Sequence, residues 1–207
     1  MADIMMESPA AVAAPSAAPP VGQKADFEIV PRRMLPIVAV VFIALVVAIA
    51  VNKLWPLVFL HVAFGAAWTI IDLFVGFVVG PIMGRLSIPA RVEFATRLMP
   101  KMLVIMPTVV TVTLAAGWQL GVLMGTVNRS YFHHGWVVAS YIVVGMMAVI
   151  ALGLLEPANV AVLTELKKPE PRPQVIESLM KRFIYTAGAT GVLQVAILVI
   201  MTRIASG

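Results

Sequence analysis

Five apolar runs, near residues 34–52, 55–82, 102–125, 135–156 and 183–204, dominate this sequence. Each is about as long as a helix needs to be to cross a hydrocarbon layer of roughly 30 Å. In lipid, every backbone N–H and C=O must be paired within its own segment, so runs of this kind must be helical. The expected fold is therefore all-α: a polytopic membrane helical bundle of five transmembrane helices, with a four-helix core and one N-terminal helix over 34–52. Composition agrees with this. Charged residues make up only 12% of the chain and apolar ones 61%, where a soluble domain carries about 25% charge. A solvated globular surface cannot be assembled from that supply, which excludes a soluble enzyme domain, a nucleic-acid binder and a chain disordered throughout. The partner implied is the lipid bilayer. With no cysteine in the sequence, disulfides, thiolate ligands and iron–sulfur clusters are excluded as well. Residues 1–33 are Ala/Pro-rich without apolar periodicity and are expected to form a disordered tail.

The cations set the topology. Twelve Lys and Arg residues fall in the tail and in the connections 83–101 and 157–182, against three, Lys53, Arg129 and Arg203, on the opposite side. The positive-inside rule then places the tail in the cytoplasm and the C-terminus outside. Arg32-Arg33, an apolar stretch and Ala48-Ile49-Ala50 also resemble a signal peptide with its cleavage site, but the long preceding tail favours an uncleaved helix. Residues 88–98, with Pro89 at a helix start and Arg91, Glu93 and Arg97 among apolar neighbours, read as an amphipathic segment on the membrane surface. The stretch 166–175 reads as a Pro-rich solvated loop. No internal or inverted repeat of the transporter kind is evident.

Polar groups within hydrocarbon are costly and require a reason. His61, Trp68 and Asp72 lie 7 and 11 residues apart in the second run, which at 100° per residue returns them to one helix face. Asp72 reads first as a hydrogen-bonding group, with Thr108, Thr111, Thr186 and Thr190 at comparable depth, and second as a proton relay. His61, His133 and His134 all fall in the outer half, where Trp55, Trp118 and Trp136 form an aromatic belt. No Asp or Glu shares that side, which argues against Ca²⁺ or Mg²⁺. Imidazole and thioether donors suit haem iron or copper(I) instead. A haem b would take His61 and one of His133 or His134 as ligands, with Lys53 and Arg129 neutralising its propionates. A copper site would use the same histidines with Met124. Gly188 and Gly191 in the fifth run read as sites of close helix packing. Asn128-Arg129-Ser130 matches a glycosylation sequon, a frequent chance match.

The segment LHVAFGAAW (60–68), with His61 followed by Trp68, resembles the first core helix of a group of bacterial membrane proteins that includes HemJ-type protoporphyrinogen oxidases and CopD-type copper-resistance proteins. The third run is similar to the next helix of that group, with Arg97, Lys101, Pro107, Thr111 or Thr113, and Gly117 in corresponding places. The resemblance covers roughly 55–204 and implies a four-helix core in a bacterial inner membrane, with His61 as a haem ligand. The W-x-H-x-K pattern of the HemJ-type proteins is absent: Trp136 is followed at those offsets by Val138 and Ser140. The likeness therefore carries fold and first ligand but not the oxidase activity, and for the CopD-type proteins it implies copper handling only weakly. Two functional classes emerge. One is a haem-b electron-transfer protein, with a quinone as a candidate partner. The other is a non-catalytic membrane subunit, in a larger complex or a homo-oligomer, or a copper-handling protein.

Overall fold

The computed structural model describes residues 27–132 and 134–206, and the histidine at position 133 lies outside them. Within them the chain forms five long helices: α1 (Leu35–Val51), α2 (Leu54–Arg85), α3 (Ile88–Leu123), α4 (His134–Leu166) and α5 (Pro173–Ala205). All five are long and apolar enough to cross a membrane, and with their outward-facing Val, Ile, Leu and Phe side chains they make a multi-pass bundle. On α5 the stretch between Arg182 and Arg203 is free of charge and spans about 32 Å at 1.5 Å per residue, which matches one hydrocarbon layer. This gives a depth scale for the bundle.

Prolines mark the helix beginnings: Pro36, Pro89 and Pro173 stand in the first turns of α1, α3 and α5, where the missing N–H has no intrahelical partner to lose. Asn52 closes α1 in the left-handed conformation (φ 50°), which its short amide side chain tolerates. That side chain also accepts a hydrogen bond from Gln119 Nε2 at 3.0 Å, tying the α1–α2 turn to α3. Two interior prolines, in α2 and α4, have a different effect, whereas Pro100 and Pro107 leave α3 α-helical. Phe74–Val79 and Ala151–Leu155 are π-helical turns, each lying just before a proline, Pro81 or Pro157. The pyrrolidine ring clashes with the carbonyl four residues back, and widening the turn relieves that clash.

Helices α2, α3, α4 and α5 form the core bundle, with α2 packed on α3 and α5, and α4 packed on α5 and, through its second half, on α3. Helix α1 leans on the outside of α2 and α3, burying Leu45 and Ala48 against Leu57, Leu60, Val112 and Ala116. The closest approach in the core joins α2 to α5. A Cβ built on Gly76 would stand 2.6 Å from Gly188 Cα and 2.8 Å from its nitrogen, and one on Gly191 would stand 3.5 Å from Leu73 N. Small residues here let two backbones touch, as the sequence led us to expect for Gly188 and Gly191.

The helices outrun their apolar stretches at the end rich in cations. Residues 88–98 do not lie along the membrane surface. They are the first three turns of the 36-residue α3, and their apolar face enters a core built from Ala95, Met99, Val162, Leu166, Ile176 and Met180. Burial against other helices wins over burial in the lipid interface because α4 and α5 also extend past the hydrocarbon and offer apolar faces. The loop at 166–175 is correspondingly shorter, with α4 running to Leu166 and α5 beginning at Pro173. Its polar groups are organised around Glu165, whose side chain is buried and pairs with Lys168 and with Arg172 Nε at 2.9 Å. Residues 27–33, expected in the disordered tail, include Phe27 and Ile29 packed on this same core, with Lys167 Nζ 5.4 Å from the centre of the Phe27 ring.

A methyl-sized addition at the α2–α5 contact must displace backbone. Gly76→Val is expected to destabilise the protein by about 1–3 kcal/mol, whereas Gly145→Ala, with nothing within 4 Å of the added carbon, leaves the melting temperature in detergent unchanged or slightly raised. Equal melting of the two variants would refute the close contact.

Candidate functional site

The expected face of α2 is present, but it divides between two partners. At the cation-poor end His61 turns towards α3, and its Nδ1 lies 2.9 Å from the backbone oxygen of Thr113. A carbonyl can only accept, so Nδ1 carries a proton, and in the neutral ring Nε2 is then the nitrogen with the lone pair. The imidazole occupies the space that Gly117 leaves open: a Cβ there would stand 2.6 Å from both Nδ1 and Cε1. A ring whose tautomer is fixed by a backbone carbonyl, with the other nitrogen unprotonated, is the arrangement that orients histidine as a metal ligand.

About one helical turn from Trp68 and three from His61, Asp72 meets α5 instead. It is 2% exposed, and its Oδ2 accepts a hydrogen bond from Gln194 Nε2 at 2.7 Å. Gln194 lies 12 residues past Arg182 and 9 short of Arg203, which places the pair close to mid-depth in the bundle. Trp68 and Thr190 both lie near enough to act on the carboxyl. The Thr190 hydroxyl, however, donates to the carbonyls of Thr186 and Ala187, and the Trp68 indole nitrogen is buried without a hydrogen-bond partner. Trp68 itself packs among Met106, Val110, Met147 and Ile197. It is therefore a core residue and not part of the aromatic belt, whereas Trp55, Trp118 and Trp136 are exposed. Of the threonines expected around Asp72, only Thr190 is beside it. Thr108 and Thr186 bond to the carbonyls of Val104 and Arg182 on their own helices, and Thr111 is exposed.

The remaining candidates are dispersed. His134 opens α4, whose first half packs chiefly on α5, and its Nδ1 is buried without a partner. His61 thus lies on the α2–α3 pair and His134 at the start of α4, whose first half packs on α5; position 133 lies outside the described residues. Lys53 precedes α2 in extended conformation, and Arg129 lies in the turn between α3 and α4; both are exposed. Met124 ends α3, half exposed, with Gly125 beyond it at φ 68°. Among the described residues no three His, Asp or Glu side chains converge as a metal-binding group.

Two polar residues escaped the sequence reading. Glu156 and Asn159 follow the π-helical turn of α4, and all four of their side-chain polar atoms are buried without hydrogen-bond partners, Asn159 being 0% exposed. Their i, i+3 spacing puts them on one helix face. The motif Glu-Pro-Ala-Asn is legible in the sequence, with Glu156 closing the apolar run 135–156. No family model, no curated protein and no solved structure matches the chain.

The Asp72–Gln194 contact predicts a non-additive cycle. Gln194→Leu strands a buried carboxyl and is expected to cost about 1–3 kcal/mol, while the double variant Asp72→Leu/Gln194→Leu recovers most of that loss. Thermal unfolding in detergent measures both; strict additivity would exclude a direct bond.

Proposed function

We propose that the chain binds haem b through His61 and serves in one-electron transfer within a bacterial inner membrane. The observation that carries this reading is the His61 imidazole, fixed by the Thr113 carbonyl through Nδ1 and seated on Gly117. The donor chemistry also suits the group, since a neutral Nε2 is what haem iron takes from histidine. Haem b would supply an Fe(III)/Fe(II) couple, and the protein sets its orientation and surroundings. In this reading Nε2 of His61 holds the iron, the Thr113 carbonyl keeps the ring from rotating, and the exposed Lys53 and Arg129 answer the propionates. His134, with an unpartnered ring nitrogen, and position 133 stand as candidates for a second ligand.

Visible spectra of the detergent-purified protein, oxidised and dithionite-reduced, test this. Wild type is expected to show a Soret band with sharpened reduced bands, and His61→Ala to lose it. Gly117→Val pushes on the ring and should weaken haem affinity by about 10- to 100-fold, as loss of ligand orientation does elsewhere. A colourless wild type carrying copper by metal analysis would replace this reading with a His/Met copper site. A colourless, metal-free protein prepared with haem available would leave a structural subunit.

The same reading places the cation-rich end in the cytoplasm. Because the sequence has no cysteine, single substitutions report cleanly. A membrane-impermeant maleimide should label Ser206→Cys in intact cells and Ser178→Cys only after lysis. The opposite pattern inverts the topology.

A further inference from the structure

A cleft of about 610 Å³ opens between α2 and α5 on the cation-rich side of their contact. Its shape follows from a graded series of glycines. At Gly76 the α2 backbone touches that of Gly188; one turn on, a Cβ at Gly80 would meet α5 through the Ile184 side chain, at 2.6 Å, and not through its backbone; at Gly84 nothing lies within 4 Å. The helices are thus closed at Gly76 and Gly188 and part towards the charged end. The volume lies within the range of sites that hold small ligands.

The lining changes along the cleft. Its deep part is apolar, with Phe77, Ile184 and Val192, and lies on the uncharged stretch of α5. Its mouth carries Arg91, Glu177 and Lys181. Glu177 is shared by Arg91 at 3.3 Å and Lys181 at 2.9 Å, so two cations answer one carboxylate and the mouth keeps a net positive charge. Arg91 is already committed, donating also to the carbonyls of Leu86 and Gly84. Lys181 is the freer group: its side chain is 62% exposed, and an ammonium has three donors. Tyr185, 76% exposed, stands one helical turn deeper.

We infer that this cleft is a binding site for an anionic phospholipid, with its headgroup on Lys181 and an acyl chain along the glycine face of α2. A soluble anion would leave the apolar depth unused, and a zwitterionic lipid would bring an ammonium against two cations. The inference rests on the membrane reading alone and is independent of haem.

Native mass spectrometry of the full-length protein in detergent, titrated with phosphatidylglycerol or with phosphatidylcholine of matched chains, tests it. Phosphatidylglycerol adducts should exceed phosphatidylcholine adducts by about fivefold, the effect of one basic residue on an anionic lipid. Lys181→Ala should remove that preference. Gly84→Leu, placed in open space, should lower adducts of both lipids while the melting temperature holds. Equal binding of the two lipids by wild type, a preference that survives Lys181→Ala, or undiminished adducts in Gly84→Leu would overturn the proposal.

Discussion

The contact of α2 with α5 at Gly76 and Gly188 sets the positions of nearly everything polar in the bundle. Two backbones this close fix the helices in depth and rotation, because sliding either by one residue would drive a side chain into the other's main chain. One turn towards mid-depth, the contact delivers Asp72 to Gln194, so a carboxyl that would be costly in hydrocarbon meets a donor without a water-filled cavity. On the other side the same contact forces the helices apart, and the cleft above Gly84 results.

Depth then separates two kinds of chemistry. Near the cation-poor end an imidazole is held by a main-chain carbonyl through Nδ1, which leaves Nε2 as the ring's remaining nitrogen. At mid-depth a carboxyl meets a carboxamide, and in α4 a second carboxyl and carboxamide, Glu156 and Asn159, stand unpartnered behind a π-helical turn. Wide turns re-aim the side chains that follow them and recur at functional positions in helices. Here one begins two residues after Asp72 and the other ends immediately before Glu156.

The five helices were legible because lipid leaves the backbone no alternative, and uninterrupted apolar runs are the direct record of that constraint. Their ends were not. Ala95, Met99, Ile176 and Met180 look like the apolar face of surface-lying segments until the neighbours that bury them are known, and those neighbours come from distant parts of the chain. His61, Trp68 and Asp72 could be put on one face by arithmetic, but which helix each would meet could not, because that depends on the glycine contact. Gln194 carried no signal of its own, being one amide within a long apolar run. Pro81 and Pro157 marked the places where α2 and α4 deform, though not the form the deformation takes.

Arg91 spans three parts of the chain: its guanidinium holds the last carbonyls of α2, its backbone belongs to the first turn of α3, and its charge meets Glu177 at the base of α5. In time, these arrive separately. During synthesis the first two can form as soon as α3 emerges, but the third must wait for the whole of α4 and the start of α5. Until then the guanidinium is half satisfied and the early helices lack the partner that seals their base. The clamp is complete only on a chain whose last helix has taken its place.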